Sequence, residues 1–144
     1  MITRYLKLRG DLLKIGSWFE YKVTESQSDL DVEKVWKEKY IVVSFNQKEI
    51  VFDYYKNEKK LEQVIGNKDY ANGIIRTDDL SEVGLEKLNT PFGKINTYIY
   101  DSNRCGGRTK IFTDAEGIMY KSIEDQLWSM GIRHSITREL IDKK

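Results

Sequence analysis

A single cysteine and a single histidine in 144 residues narrow the chemistry before any motif is sought. Cys105 alone cannot form an internal disulfide or a cysteine-based structural zinc site. His134 alone cannot build a multi-histidine metal site within one chain. Proline is as scarce, and Pro91, the only one, therefore marks a specific turn. No apolar run approaches the roughly 20 residues that a transmembrane helix needs. No Gly-, Ser- or Pro-rich linker, low-complexity tract or internal repeat divides the chain. Charge is plentiful but balanced, 24 Lys+Arg against 23 Asp+Glu, for a formal net charge of +1. That balance provides no global attraction to nucleic acid or to an anionic membrane. Residues 1–18 carry charges throughout and no apolar h-region, so no signal peptide is read there and the cytoplasm is the expected location.

What the chain has in quantity is aromatic and β-branched side chains. Nine tyrosines, five phenylalanines and three tryptophans suit sheet faces whose polar tips reach water. The length fits one domain, residues 1–144, able to bury roughly 70% of its unfolded surface.

The clearest local pattern lies in Leu88–Ile123. Thr90-Pro91-Phe92-Gly93 reads as a type I or II turn, with proline fixing φ and glycine closing. Asp114-Ala115-Glu116-Gly117 reads as a hairpin loop ending in a left-handed glycine. Asn103–Gly107 reads as a longer polar loop. Between them, Lys94–Asp101, Arg108–Thr113 and Ile118–Ile123 read as three strands of a meander.

Elsewhere, Ser17–Glu25 alternates as a strand, Phe19, Tyr21 and Val23 on one face and Trp18, Glu20 and Lys22 on the other. Gln27–Asp31 is a polar loop. Val32–Phe45 leads through a tight turn at Asn46-Gln47 into its hairpin partner Glu49–Tyr55, and Lys56–Lys60 is a charged turn. Leu61–Ile65 is a short strand, Asn72-Gly73 a turn and Ile74–Arg76 a brief extended piece. Thr77–Glu82 reads as an N-cap and one or two helical turns, stopped at Gly84. Ser122-Ile123-Glu124-Asp125 either caps a short helix through Met130, ended by Gly131, or continues the preceding strand. Ile132–Ile141 alternates as a terminal strand. Residues 1–15 are a lead-in, helical or irregular. The expected fold is mainly β: a curled antiparallel sheet or half-barrel of about seven or eight strands with one or two short helices.

Four blocks in order, GSWFEYKV at Gly16–Val23, TPFGKINTYIY at Thr90–Tyr100, FTDAEGIMYKSI at Phe112–Ile123 and SITRELID at Ser135–Asp142, carry a resemblance. Together they resemble a group of small archaeal and bacterial β-domains, often lipoprotein-associated, similar in architecture to the LolA/LolB-type half-barrel. The resemblance implies a curled antiparallel sheet around an apolar concave face. It carries no catalytic residues.

Candidate chemistries follow from the residue types. Cys105 and His134 form the only thiol–imidazole combination, with Arg104 and Arg108 flanking the thiol, but no motif joins them. Asp78-Asp79, Asp114 with Glu116, and Glu124-Asp125 offer paired carboxylates for a small hydrolase or transferase. The first also reads as a helix start and Asp114 as turn chemistry. Lys34, Lys37, Lys39, Lys56, Lys59 and Lys60, near Trp36, Tyr40, Tyr54 and Tyr55, have the ingredients of a single-strand nucleic-acid surface. Glu33, Glu38, Glu49 and Glu58 interleave and cancel that field, so nucleic acid is disfavoured. Cys105-Gly106-Gly107 lacks the helix start and GKS/GKT of a phosphate loop.

What remains is the sheet face. Phe19, Tyr21, Ile41, Val43, Phe52, Ile95, Ile99, Ile111, Ile118 and Tyr120 are expected along the concave side, as a filled core or as a partly open groove. The groove would take an apolar small molecule, a peptide strand or a second subunit at a sheet edge. The leading expectation is thus a binding or interaction module without cofactor or metal, ahead of the hydrolase and the nucleic-acid adaptor.

Overall fold

A computed structural model describes residues 14–29, 33–67, 80–104, 107–127 and 131–144. Within them lie nine strands and no α-helix. They are β1 (Trp18–Gln27), β2 (Lys34–Phe45), β3 (Glu49–Lys56), β4 (Lys59–Asn67), β5 (Ser81–Thr90), β6 (Gly93–Arg104), β7 (Gly107–Thr113), β8 (Met119–Leu127) and β9 (Arg133–Lys143). All belong to one sheet in the order β4-β3-β2-β1-β9-β8-β7-β6-β5, and every neighbouring pair is antiparallel. The first and last strands are central partners, and β4 and β5 are the two edges.

The turns are made by the residues expected of them. Asn46 Oδ1 accepts the backbone N–H groups of Lys48 and Glu49 at 2.9 and 2.8 Å, an Asx turn between β2 and β3. Thr90 Oγ1 accepts the Phe92 N–H at 3.0 Å and donates to the Gly93 carbonyl at 2.9 Å. Gly93 (φ 104°) and Gly117 (φ 92°) occupy backbone conformations that need glycine. Between β3 and β4, Asn57 and Glu58 both have positive φ (49° and 70°) in a two-residue hairpin closed by the pair Lys56↔Lys59.

Several expectations are corrected. Ser81–Glu82 open strand β5 rather than a helix, and Gly84 lies inside that strand. Here pairing with β6 overrides the capping signal, because Leu85 and Leu88 find cross-strand partners in Tyr98 and Ile95. Of the two readings of Ser122–Asp125, the continued strand holds, since β8 runs through Leu127. Asn103, Arg104 and Gly107 are strand residues, so only 105 and 106 separate β6 from β7. The polar run there pairs across the ladder, Ser102 with Thr109 and Asn103 with Arg108, and polarity alone had read as loop. The strands number nine, not seven or eight. The readings at 1–13, 30–31, 72–79, 105–106 and 128–130 lie outside the described residues.

The buried core is a single cluster: Phe19, Tyr21, Val23, Tyr40, Val42, Ile50, Phe52, Tyr100, Ile111, Met119, Tyr120 and Leu140. On β1, β2 and β3 it takes one alternation phase, as period-2 side-chain geometry requires, whereas Met119 and Tyr120 are consecutive on β8, at the register shift beside Thr113. Tyr21 is fully buried, and its hydroxyl donates to the Met119 carbonyl at 3.4 Å, from β1 to β8 past β9.

Candidate functional site

The strand register resolves the core face into rows that cross the sheet. One row reads Trp36, Val23, Arg138, Ser122, Ile111, Tyr100 on β2, β1, β9, β8, β7 and β6. Two residues further along, on the same face, the row is Lys34, Glu25, Ile136, Glu124, Thr109, Ser102. The next holds Gln27, His134 and Gln126. In the opposite direction lie Tyr21, Leu140, Val42, Phe52 and Met119, all buried. One face of one sheet is therefore apolar at one end and polar at the other.

The two ends meet at Glu38, which lies opposite Tyr21 on β1 and so in a buried row, with its carboxylate turned to the polar groups beside it. Its carboxylate accepts from four donors: Trp36 Nε1 at 3.2 Å, Tyr40 hydroxyl at 3.1 Å, Tyr54 hydroxyl at 2.6 Å and Arg138 Nε at 3.2 Å. Arg138 Nη1 donates to Glu124 Oε2 at 3.1 Å, so the guanidinium lies between two carboxylates. Exposure rises outward, the Glu38, Arg138 and Glu124 side chains being 7%, 15% and 34% accessible. Beyond them His134 Nε2 meets Glu25 Oε2 at 3.0 Å.

Burial alone would raise the Glu38 pKa. The Tyr54 hydrogen bond, the Arg138 charge and the bonds from Trp36 and Tyr40 outweigh it and hold the group below its ordinary value. Burial would likewise lower the Arg138 pKa, but Glu38 and Glu124 hold it above its usual value. Burial first, and Glu38 second, push the Tyr40 and Tyr54 phenols upward. Glu38 is thus a fixed, fully solvated-by-protein anion. Its lowered pKa is the opposite of what a general acid at neutral pH requires.

Of the ten residues expected along the concave side, Phe19, Tyr21, Phe52, Ile111 and Tyr120 lie in the buried core, with Ile95 and Ile118 half-buried against it. Ile41, Val43 and Ile99 do not join them. Ile41 pairs with Trp18, and Ile99 with Phe112, on the opposite alternation phase. Val43 is the unpaired residue of a bulge between Val42 and Ser44. The run Tyr40-Ile41-Val42-Val43 is apolar throughout, so its phase is invisible in hydropathy, and the buried member opposite Tyr21 is the glutamate that hydropathy places outside.

The other candidates separate. Asp114 Oδ1 accepts from the N–H groups of Glu116 and Ile118 at 2.9 and 3.0 Å, and Oδ2 from Tyr120 at 3.3 Å, which is turn chemistry. Burial, then the Asp114 charge, push Tyr120 up to about 12. Glu124 and Asp125 point to opposite faces by register. The Arg108 guanidinium, one of the two that flank the cysteine in sequence, forks onto Asp101. Lys37 and Lys39 line a shallow outer hollow with Glu20, Ile41, Tyr55 and Glu58, and the Lys39 ammonium lies over the Trp18 ring at 4.1 Å. Cys105 and Asp78-Asp79 fall outside the described residues. Among the described residues no three His, Cys, Asp or Glu side chains group as a metal site would require, and no helix is long and apolar enough to cross a membrane.

Sequence reasoning missed Glu38 and Ser122 as interior residues, and it placed Arg138 on the apolar-leaning face of the terminal strand without reading it as buried. A signal for Arg138 was present: it shares the alternation phase of Ile136 and Leu140. Compared with protein-family models, with curated proteins and with solved structures, the chain finds no match.

Proposed function

We propose that the chain is a binding module in which the sheet curls so that its core face becomes concave, sealed by apolar side chains at one end and recognising a ligand at the polar end. The observation that carries the reading is the change of one face from apolar to polar along six adjacent strands. A face that served only as a core has no reason to bury Glu38 and Arg138, since paired charges in the interior are no more stabilising than apolar residues of similar volume.

Curling is supported by contacts. Lys143 Nζ on β9 lies 5.7 Å from the ring of Phe92, at the turn before β6, and that ring packs against Tyr120 at 5.9 Å. In a flat sheet β9 and β6 stand about 14 Å apart, three spacings of roughly 4.8 Å. The resemblance to LolA/LolB-type half-barrels agrees with this arrangement. The occupant is a small molecule with an apolar body, or a peptide, held at the polar rim.

Native mass spectrometry of the purified protein tests the reading. A non-covalently held species that is lost on denaturation is the expected result. Its absence, together with failure of environment-sensitive apolar probes to bind, overturns it.

A further inference from the structure

Strand β5 is an edge: among the described residues it pairs with β6 alone, so its other side presents backbone N–H and C=O groups without a strand partner. From Gly84 to Thr90 its register with β6 is unbroken, after a bulge at Val83. Thr97, buried on β6, donates its hydroxyl to the Glu86 carbonyl at 2.7 Å and ties that stretch to the sheet. The edge is a pre-formed template.

Beside it lies a hollow of about 550 Å³. Leu85 faces Tyr98 and Lys87 faces Asn96 across the ladder, on the alternation phase of Tyr100, and Ala115 in the β7–β8 turn also lines the hollow. Leu85 is 72% exposed there, although its row continues through Tyr98 to the buried Thr113. An open apolar side chain at a strand edge, next to a hollow, supplies both parts of strand addition. The edge gives main-chain hydrogen bonds, and the hollow receives alternate side chains. The opposite edge, β4, opens on Lys59 and Lys60, both exposed, and lysines there discourage such pairing.

The charges select the occupant. In a two-fold antiparallel pairing of β5 with a second copy, one residue lies opposite its own copy. Full overlap of the unbroken stretch Gly84–Thr90 puts Lys87 in that position, and the next register toward the bulge puts Glu86 there. Both oppose like charges, which destabilises a ladder. A different strand can instead set an acid opposite Lys87, a base opposite Glu86 and an apolar residue opposite Leu85.

We propose that the β5 edge binds an extended peptide in which an acidic, a basic and an apolar residue follow one another, the apolar one set against Leu85 and Tyr98. Antiparallel addition, the more stable pairing, reads them in that order from the peptide's amino end. This surface is separate from the polar end of the core face, and the proposal does not rest on a ligand there.

The probe is the labelled peptide Thr-Thr-Glu-Lys-Val-Thr-Thr, titrated with the intact chain by fluorescence anisotropy. It is expected to bind several-fold more tightly than its charge-swapped form Thr-Thr-Lys-Glu-Val-Thr-Thr, and the double variant Glu86→Lys/Lys87→Glu should reverse that order. Leu85→Thr, at an exposed position, should weaken the probe about tenfold and leave the melting temperature in place. Only alternate N–H groups of an extended peptide face its partner strand, so N-methylation of one alternate set should abolish binding and of the other set preserve it. Equal binding by the two methylated forms overturns the proposal, as does a probe that fails to bind or that the charge swap leaves unchanged. Self-association of the chain that Leu85→Thr removes makes a second copy the occupant and overturns it too. Each of these failures leaves the concave-face reading standing, because native mass spectrometry of the protein without added peptide tests that reading separately.

Discussion

Arg138 on β9 and Glu38 on β2 meet over the top of β1, Nε to Oε1 at 3.2 Å, although their strands are not neighbours. The bridge passes between Tyr21 and Val23, both fully buried. It joins strands from the two halves of the chain and removes two charges from water. Breaking such a pair from one side leaves the other charge buried and uncompensated. Arg138→Met is therefore expected to destabilise the fold by about 3–5 kcal/mol, and the double variant Glu38→Met/Arg138→Met by clearly less than the sum of the two single changes. Urea unfolding of the four proteins in the cycle measures this, and additive effects would show that the pair is not coupled.

Acid stability should follow Glu38. Its folded pKa lies below its unfolded value of 4.5, so the folded state binds the proton less readily than the unfolded state does. The resulting stabilisation is fully present above the unfolded value and is lost as pH falls through the depressed folded value. Below pH 4.5 the wild-type protein should lose stability steeply, and Glu38→Gln, weaker at neutral pH, should show a flatter slope there. Equal slopes in urea titrations at successive pH values would assign the acid loss to other groups.

The β3–β4 hairpin holds a non-glycine residue where glycine is favoured. Glu58 has φ 70° and is the second residue of the turn after Asn57. Left-handed backbone costs an L-residue roughly 1–2 kcal/mol, and Asn-Gly is the preferred pair in this geometry. Glu58→Gly is expected to stabilise the protein by about 1 kcal/mol, after the entropy that glycine adds to the unfolded chain. Differential scanning calorimetry should show a raised midpoint. A lowered one would mean that the Glu58 side chain contributes more than its backbone strain removes.

The face assignment of β2 and β3 can be checked by paired truncation. Ile50 is fully buried, whereas Ile41 is on the opposite phase and only half-buried. Ile50→Ala should cost about 2–5 kcal/mol through lost burial and the cavity left behind. Ile41→Ala should cost distinctly less. Similar losses at the two positions would place Ile41 in the core after all.

Much of the sheet was legible because its strands alternate and its turns carry Asn, Asp, Thr-Pro and Gly at the positions that need them. Phe19, Tyr21 and Val23 were placed on one face from β1 alone, and β9 was read as an alternating terminal strand. Strand β5 was not, since Thr-Asp-Asp ahead of Leu80-Ser81-Glu82 resembles a helix start, and only pairing with β6 makes it extended. The polar end of the face was illegible for a different reason. Glu38 and Arg138 are charged residues in an otherwise charged chain, and nothing local distinguishes a solvated glutamate from one enclosed by Trp36, Tyr40, Tyr54 and an arginine 100 residues away. Hydropathy assigns charge to the outside by default, and an interior ion pair is the case in which that default fails.

The pairing of β1 with β9 has a kinetic consequence. Each of the other ladders joins consecutive strands through a hairpin, so β1–β4 and β5–β9 are two meanders that can form from local contacts. The β1–β9 ladder, with Gln27 opposite His134 and Phe19 opposite Lys143, is the one ladder between them among the described strands, and it closes the longest loop in the described sheet. Loop-closure entropy must be overcome there before any interaction rewards it, which makes the docking of the two meanders the natural slow step of folding. A chain halted before that step has its hairpins and most of its turns. It has no Glu38–Arg138 contact, because the two residues belong to different meanders, and so the polar end of the face is completed last.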